Sequence, residues 1–340
     1  MRHTLNHHLP RRQASAWVLG LAMLPVLATA QTASPATPTE KYLAQERFTL
    51  VAPFPPGGPI DSLARIMADG LSKKYGQPAV VENLPGAAGN IGIDKVKRAK
   101  GDGRTLLVVP AGNLTINPTL MPNFPFNIER DFVPITMLAK APNVLVANPG
   151  AGFKSVKDLI AAAKAKPDTL SYASPGVGSG LHLAGELFKQ QAGVEILHVP
   201  YKGTGPALND VLGGTVPLMF SNLPATLPSI RVGKLVALGI TDTQRSTAAP
   251  EIPTLAEQGV SGVVVTSWYG VLAPAGTPPE VVEQLAQDAK VFLNQPAVRE
   301  SLKAQGLTES VMTPAAFGAY IREETATWAG IIKARKIVAQ

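Results

Sequence analysis

From Arg47 onward the apolar residues follow two rhythms in turn, short strand-length runs and longer stretches at helical spacing. Residues 48–54 (FTLVAPF) predict a strand that runs into Pro55-Pro56-Gly57-Gly58. Ile60, Leu63, Ala64, Met67 and Leu71 then recur at i, i+3, i+4, i+7 and i+11, one face of an amphipathic helix. Residues 79–83 (AVVEN) predict the next strand, 86–90 a turn into another helix, and 105–109 (TLLVV) a third strand. Strand, turn and helix in repeated order imply parallel strands with crossover helices.

The pattern restarts after about Lys140. Strands are expected at 144–147, 170–173, 196–200 and 217–220, with helices at 156–165, from the turn 176–180 to about Gln191, and at 206–212. Strands at 235–240 and 267–272 follow. The tail is helical, with Val282, Leu285, Ala289 and Phe292 on one apolar face and Phe317, Tyr320, Ile321, Trp328 and Ile331 on another. We expect this tail to pack back on the first α/β unit, so that the chain passes between units more than once. No repeat of 20–50 residues is visible.

The first thirty residues break this rhythm. Arg2, Arg11 and Arg12 precede an apolar stretch from Ala14 to about Ala28, and Ala28-Thr29-Ala30 stands before Gln31. Basic start, short apolar run and small-residue site make a secretory signal peptide, too short for a span of ~20 apolar residues. Residues 31–45, opening QTASPATPTE, read as a disordered lead-in. Cleavage after Ala30 leaves 310 of the 340 residues, too many for one core, which predicts two domains.

Three of the 31 Lys and Arg precede the cleavage site, leaving 28 against 24 Asp and Glu, so the net charge of +7 falls to +4. The surplus is scattered and aromatics are 6%, which disfavours nucleic acid and suits a small anion. The absence of cysteine removes disulfides, thiolate nucleophiles and cysteine-based metal sites. No dinucleotide or P-loop motif occurs, so no cofactor is expected. Only His182 and His198 follow the signal peptide, at no metal-ligand spacing.

Three Gly/Pro-rich turns each sit after a strand and before a helix: residues 55–61, 85–90 and 174–180. Glycine lets the backbone approach a ligand, and a helix N-terminus offers free N–H groups and a positive dipole end, which suit a carboxylate. Asp61 stands where an N-cap is expected and either caps the helix or meets ligand; Ser179 is expected to cap the next one. His182 either packs its helix or lines the cleft. Trp268 and Tyr269 either pack between domains or stack on ligand. Lys202 is the one cation beside these turns.

The same residues resemble the substrate-binding proteins of tripartite tricarboxylate transporters, the Bug family of periplasmic receptors. The matching stretches are PFPPGGPID (53–61) with Ala64-Arg65, VENLPGAAGNIG (81–92), GDGRTLL (101–107) and the DF of 131–132. They continue with SYASPGVGSGLHLAGELF (171–188), HVPYKGTGPALNDVLGGTVPLMF (198–220), IPTLAEQG (252–259) and WYGVLAPAGTP (268–278). In the second segment Leu84 and Ala88 replace the family's arginine and glycine.

The resemblance implies an α/β, two-domain periplasmic solute-binding fold, a type II Venus flytrap hinged by crossing strands, with a ligand in the interdomain cleft. It also implies that backbone N–H groups and ordered waters hold a carboxylate. Carried over by position, Phe54, Gly57, Gly58 and Asp61 belong to the first loop, Ala87 and Ala88 to the second, and Ser174, Gly178 and Ser179 to the third. Tyr201, Lys202, Asn222 and Trp268 are expected wall residues.

The expected domains are 46–140 with 243–340, and 141–242. The expected function is a receptor, not an enzyme, that takes a small carboxylate to inner-membrane transporter subunits. Two alternatives remain: a ligand sensor without transport, and a secreted hydrolase pairing Ser179 or Ser174 with His182 or His198, which requires a Ser–His hydrogen bond and an orienting acid.

Overall fold

The computed structural model describes residues 35–334 and 336–338. The expected signal peptide, residues 1–30, lies outside them. The lead-in is ordered earlier than expected. Pro38–Leu43 is helical, because Thr37 and Glu40 form a capping box and Pro38 takes the first helical position.

Eleven strands among the described residues form two sheets. They are β1 (Phe48–Ala52), β2 (Ala79–Asn83), β3 (Thr105–Pro110), β4 (Phe132–Ala141), β5 (Asn143–Ala147), β6 (Ser171–Ser174), β7 (Leu197–Pro200), β8 (Leu218–Asn222), β9 (Val236–Ile240), β10 (Ser267–Pro274) and β11 (Thr308–Glu309). The first sheet runs β11-β4-β10-β3-β1-β2 and the second β7-β6-β8-β5-β9. Within each, three neighbours are parallel: β2-β1-β3 and β7-β6-β8. The expectation of parallel strands holds for these triplets only. Strands β10 and β5, which each adjoin a triplet, run antiparallel, as do their further partners β4 and β9.

The strands are nearly continuous apolar runs because both faces of each sheet are covered, and the pleat sends alternate side chains to opposite cores. Leu50, Leu106 and Val108 enter one core with the helices Pro59–Tyr75 and Pro279–Leu293, whereas Val51, Leu107 and Val109 enter another with Ile93, Val96 and Phe317. The second sheet divides likewise, with Leu145, Tyr172, Leu218 and Phe220 on one side and Val144, Val146, Ala173 and Met219 on the other. Helix Pro59–Tyr75 buries Ile60, Leu63, Ala64, Met67 and Leu71, the face read from the sequence. Asp61 in its first turn and Lys73 and Lys74 in its last complement the macrodipole.

The chain passes from the first sheet to the second at Pro142, between β4 and β5, and returns between β9 and β10. Asn143, Asn222, Ser267 and Tyr269 knit this junction. Asn222 Nδ2 donates to Asn143 Oδ1 (2.8 Å) and Ser267 Oγ (2.9 Å), and Tyr269 OH donates to Asn222 Oδ1 (3.2 Å). Asn143 Nδ2 donates to the Val265 carbonyl at 2.8 Å.

Most of the tail packs as expected, with helix Pro279–Leu293 in the core of the first sheet. Helix Pro314–Ala334 places Phe317 and Ile321 in the core of the first sheet but Trp328 and Ile332 in that of the second. Ile116 and Leu120, which follow β3, also join the second core. The tail therefore folds back on the first unit as expected, and only its last turns, with Ile116 and Leu120, extend into the cluster shared with the second core.

Candidate functional site

β1 stops at Ala52 because Pro53, Pro55 and Pro56 have no N–H for a neighbouring strand. Gly57 follows with φ of 90°, a conformation that favours glycine. Its N–H donates to Asp61 Oδ2 (3.1 Å), which also accepts from Arg65 Nε (3.1 Å). The N-cap is Gly58, not Asp61. Asp61 lies two residues inside the first helical position and reaches back to Gly57, so the expected cap is corrected to a loop brace. Burial pushes the Asp61 carboxyl up, but hydrogen bonds from Arg65, Gly57 and Asn83 outweigh it and hold the pKa below its ordinary value. Phe54 is half-buried, and its carbonyl accepts from Asn83 Nδ2 at 3.2 Å.

The second loop turns left-handed. Ala87 (φ 48°), Ala88 (φ 55°) and Gly89 (φ 94°) are consecutive, and each alanine held there costs about 1–2 kcal/mol. Asn113 Nδ2 secures the turn by donating to the Ala88 carbonyl at 2.8 Å. Both alanines are exposed. Leu84, which stands where the resemblance expects arginine, packs on the core of the first sheet.

Ser179 is the expected cap in the third loop: its Oγ accepts from the His182 N–H (3.1 Å) and donates to the Gly176 carbonyl (2.8 Å). Beneath it Tyr172, His198 and His182 stack, with ring centroids 4.9 and 4.2 Å apart. The Gly178 N–H donates to His182 Nδ1 at 3.3 Å, which places the His182 proton on Nε2. Ser174 is fully buried, and its Oγ lies 2.7 Å from His198 Nε2 and accepts from the Gly176 N–H at 3.2 Å. Ser174 thus supports the loop from below and has no surface for a ligand, which corrects its expected place among the contacts. Burial, helped by the Lys189 charge, pushes His182 down to about 4, and burial beside His182 pushes His198 down to about 3. Both imidazoles are neutral near pH 7.

These loops close into a ring. A Cβ added at Gly89 would lie 3.4 Å from Phe54 Cε2 and 3.1 Å from Asn113 Nδ2. One at Gly112 would lie 2.5 Å from the Gly178 carbonyl oxygen, and one at Gly176 would lie 3.1 Å from the Tyr201 carbonyl. Gly203 completes the circuit, its Cβ position 4.0 Å from Pro55 Cδ. The first-sheet loops therefore meet the second-sheet loops at two places.

Helices Pro59–Tyr75, Asn90–Lys97, Gly180–Ala192 and Thr204–Leu212 all begin on this ring. Their first-turn N–H groups have no partner within the helix. Gly58, Gly89 and Gly203 cap three of them without a side-chain acceptor. Such a ring presents N–H donors and positive dipole ends to an anion. Among the described residues no cluster of His, Cys, Asp and Glu could hold a metal ion.

The expected walls fare unevenly. Tyr201 is half-buried at the ring and donates its hydroxyl to Asp210 Oδ2 at 2.6 Å, and Lys202 is exposed beside it. Asn222 belongs to the junction network and is 4% exposed. Trp268 is 1% exposed, packs edge-on against Phe317 and Tyr320, and donates Nε1 to Glu324 Oε2 at 2.8 Å. Neither lines the ring: Asn222 is tied into the junction, and the alternation of side chains along β10 turns Trp268 into the core beside Phe317. Conversely, Gly112, Asn113 and Asn117 were not expected there. Gly112 and Asn113 had a signal in a fourth strand-to-helix turn, Pro110-Ala111-Gly112-Asn113, directly after a strand read as ending at 109, whereas Asn117 had none.

Residues 63–337 match the model of the tripartite tricarboxylate transporter family receptor. Protein BugT of Bordetella pertussis is 40% identical over 308 residues, covering 90% of this chain and 94% of the relative. A protein from the tcbD-tcbE intergenic region of Pseudomonas sp. strain P51 is 39% identical, covering 84% of this chain and 85% of its own. Among solved structures, R. palustris Rpa4515 with adipate superposes with a TM-score of 0.83 at 36% identity, covering 86% of this chain and 98% of that one. The periplasmic binding protein BugD superposes at 0.80 and 34% identity, covering 87% and 99%. MatC from Rhodopseudomonas palustris with bound malate superposes at 0.79 and 30%, covering 85% and 99%. With its two-sheet α/β fold, this chain belongs to the tripartite tricarboxylate transporter receptor family, whose Bug members are periplasmic solute-binding proteins.

Proposed function

We propose that this protein is an exported receptor that holds a small carboxylate within the loop ring and hands it to inner-membrane subunits of a tripartite transporter. The observation that carries this reading is the convergence of four helix N-termini on one ring. The carboxylate of the first loop, Asp61, is already matched by Arg65 and the Gly57 N–H. The relatives bound to adipate and malate agree with that charge preference.

The contacts we propose are Phe54, Gly57 and Gly58, Ala87 and Ala88, Gly178 and Ser179, with Tyr201 and Lys202 at the rim. Asp61 braces the first loop. The two sheets support a first domain of 46–140 with 243–340 and a second of 141–242, with residues 116–120 and 328–332 packed across the boundary. Export by a cleaved signal peptide over residues 1–30 fits a periplasmic family.

One contact favours a hydrolase: Ser174 Oγ lies 2.7 Å from His198 Nε2. Ser174 is fully buried, however, and His198 Nδ1 has no partner, so the pair lacks both substrate access and an orienting acid. We read it as support for the third loop and the protein as a non-enzymatic receptor.

A thermal-shift screen of refolded mature protein against a carboxylate panel tests the reading. A ligand at 100 times its Kd adds about 2.7 kcal/mol, a shift of roughly 2–6 °C. Folded protein that no carboxylate stabilises would sink the proposal.

A further inference from the structure

Helix Pro59–Tyr75 carries a second surface behind the loop it starts from. Gly70 lets this helix meet helix Pro279–Leu293 closely, since a Cβ at that position would overlap the Phe292 ring. Beside the contact lies an open hollow of about 250 Å³, lined by the apolar side chains Ile66, Phe292 and Val298 and by Arg65 and Asp69. A second hollow of about 340 Å³ adjoins it at Gln295 and takes in Lys290 and the exposed Val291. A pocket for a small molecule encloses at least about 70% of its ligand. Two open hollows in a row instead make a trough, which suits an extended chain segment.

The charges along the trough favour an acidic segment. Asp69 is already matched by Lys73 at 2.7 Å. Arg65 commits Nε and Nη2 to Asp61, which leaves Nη1 free on a side chain that is 60% exposed. Lys290 has no ion-pair partner among the described residues. The cations Arg65, Lys73 and Lys290 thus outnumber the carboxylates Asp61 and Asp69, both of which are paired.

We infer that this trough docks a segment of a partner protein in which acidic and apolar residues alternate, and that Arg65 passes the docking on to the first loop. Arg65 belongs to both places: it lines the trough and holds Asp61, which in turn holds the Gly57 N–H at 3.1 Å. A second carboxylate on the guanidinium competes with Asp61. That side chain is 8% exposed, so it loses stability as its cation turns away. Docking therefore loosens the loop. The docking itself rests on the trough; its use in drawing out a carboxylate rests on the receptor reading above.

The test is fluorescence anisotropy of labelled, end-capped hexapeptides titrated with the full mature protein at low salt. Three peptides alternate leucine with glutamate, glutamine or lysine. The glutamate peptide is expected to bind about tenfold or more tighter than the glutamine one, and the lysine one weakest. K290Q should weaken the glutamate peptide by about threefold, and R65Q should remove most of its advantage. In amide-resolved NMR the glutamate peptide should shift the Gly57 resonance in the wild type but not in R65Q. Should R65Q not fold, V298E, which sets a like charge in the trough and leaves the Arg65–Asp61 pair in place, must lose both responses.

No binding of the glutamate peptide, equal binding of all three, or binding that survives both R65Q and V298E would overturn the docking. Tight binding that leaves the Gly57 resonance unmoved would overturn the link to the loop. Failure of the receptor reading shows separately: folded protein that takes the glutamate peptide but no small carboxylate keeps the docking site and loses the hand-off.

Discussion

Two groups of asparagines in this molecule have opposite fates. At the junction of the sheets, both ends of the Asn143 and Asn222 amides are bonded to one another, to Ser267 and Tyr269, or to the Val265 carbonyl. At the ring, Asn90 and Asn117 keep buried oxygens with no partner in the protein. A buried amide that holds a fold together is saturated, because any vacancy would cost about 1–3 kcal/mol. One that is left open is stability given up.

Acid gives the largest expected effect, because it acts on what lies under the ring. His182 and His198 titrate near 4 and 3 when folded, against an ordinary 6.5. Their folded pKa values are depressed, so the unfolded chain gains protons first. Stability is complete above pH 6.5 and falls as pH drops towards 4, by about 1.4 kcal/mol per pH unit for each imidazole. Lys189 and Glu186 face the same stack and act on it in opposite directions. Denaturant titrations from pH 7 to 4 should show H198L with a shallower slope than wild type by about that amount. N222A should keep the wild-type slope, since the junction contains no histidine. Equal slopes for H198L and wild type would mean that the stack is not held neutral.

The junction comes next. N222A removes two donated bonds and leaves the Tyr269 hydroxyl without its acceptor. The expected loss is about 2–4 kcal/mol, read as a lower denaturant midpoint at unchanged m. N117L, which removes a buried acceptor that has no partner, should move stability the other way. If the two variants moved together, the contrast between the two groups would collapse.

The smallest effect is expected at Ala88. Glycine would relieve a left-handed alanine worth about 1–2 kcal/mol but would loosen the unfolded chain by about 0.4–1. A88G should therefore gain roughly 0.5–1 kcal/mol in a thermal melt. A loss above 1 kcal/mol would show that the methyl group is held by contacts that outweigh the strain.

Much of this was legible from residue order. The parallel triplets followed from alternating runs, and the loops at 55–61, 85–90 and 174–180 followed from glycine and proline placed between strand and helix. β4 was missed because Pro134 lies inside its run, and proline argues against a strand. In the fold, Pro134 sits opposite Leu272, beside a register shift in the pairing with β10 that accommodates it. Trp268 and Asn222 were misjudged for another reason. Trp268 takes the core side of β10 by side-chain alternation, and the partners of Asn222 stand on other strands, at Asn143 and Ser267, where no local pattern points to them. Asn117 carries no local signal, since its neighbour on the ring is Gly178, sixty-one residues away.

The helix Pro314–Ala334 also sets how the molecule can move. Phe317 and Ile321 are seated in the first body, and Trp328 and Ile332 stand with Ile116 and Leu120 in a cluster that runs on into the second core. A swing of one sheet against the other has to disturb that shared cluster. The stiffness of such a swing is therefore set in part by apolar side chains behind the loops, and substitutions there can retune how readily the two bodies part while leaving the loops themselves unchanged.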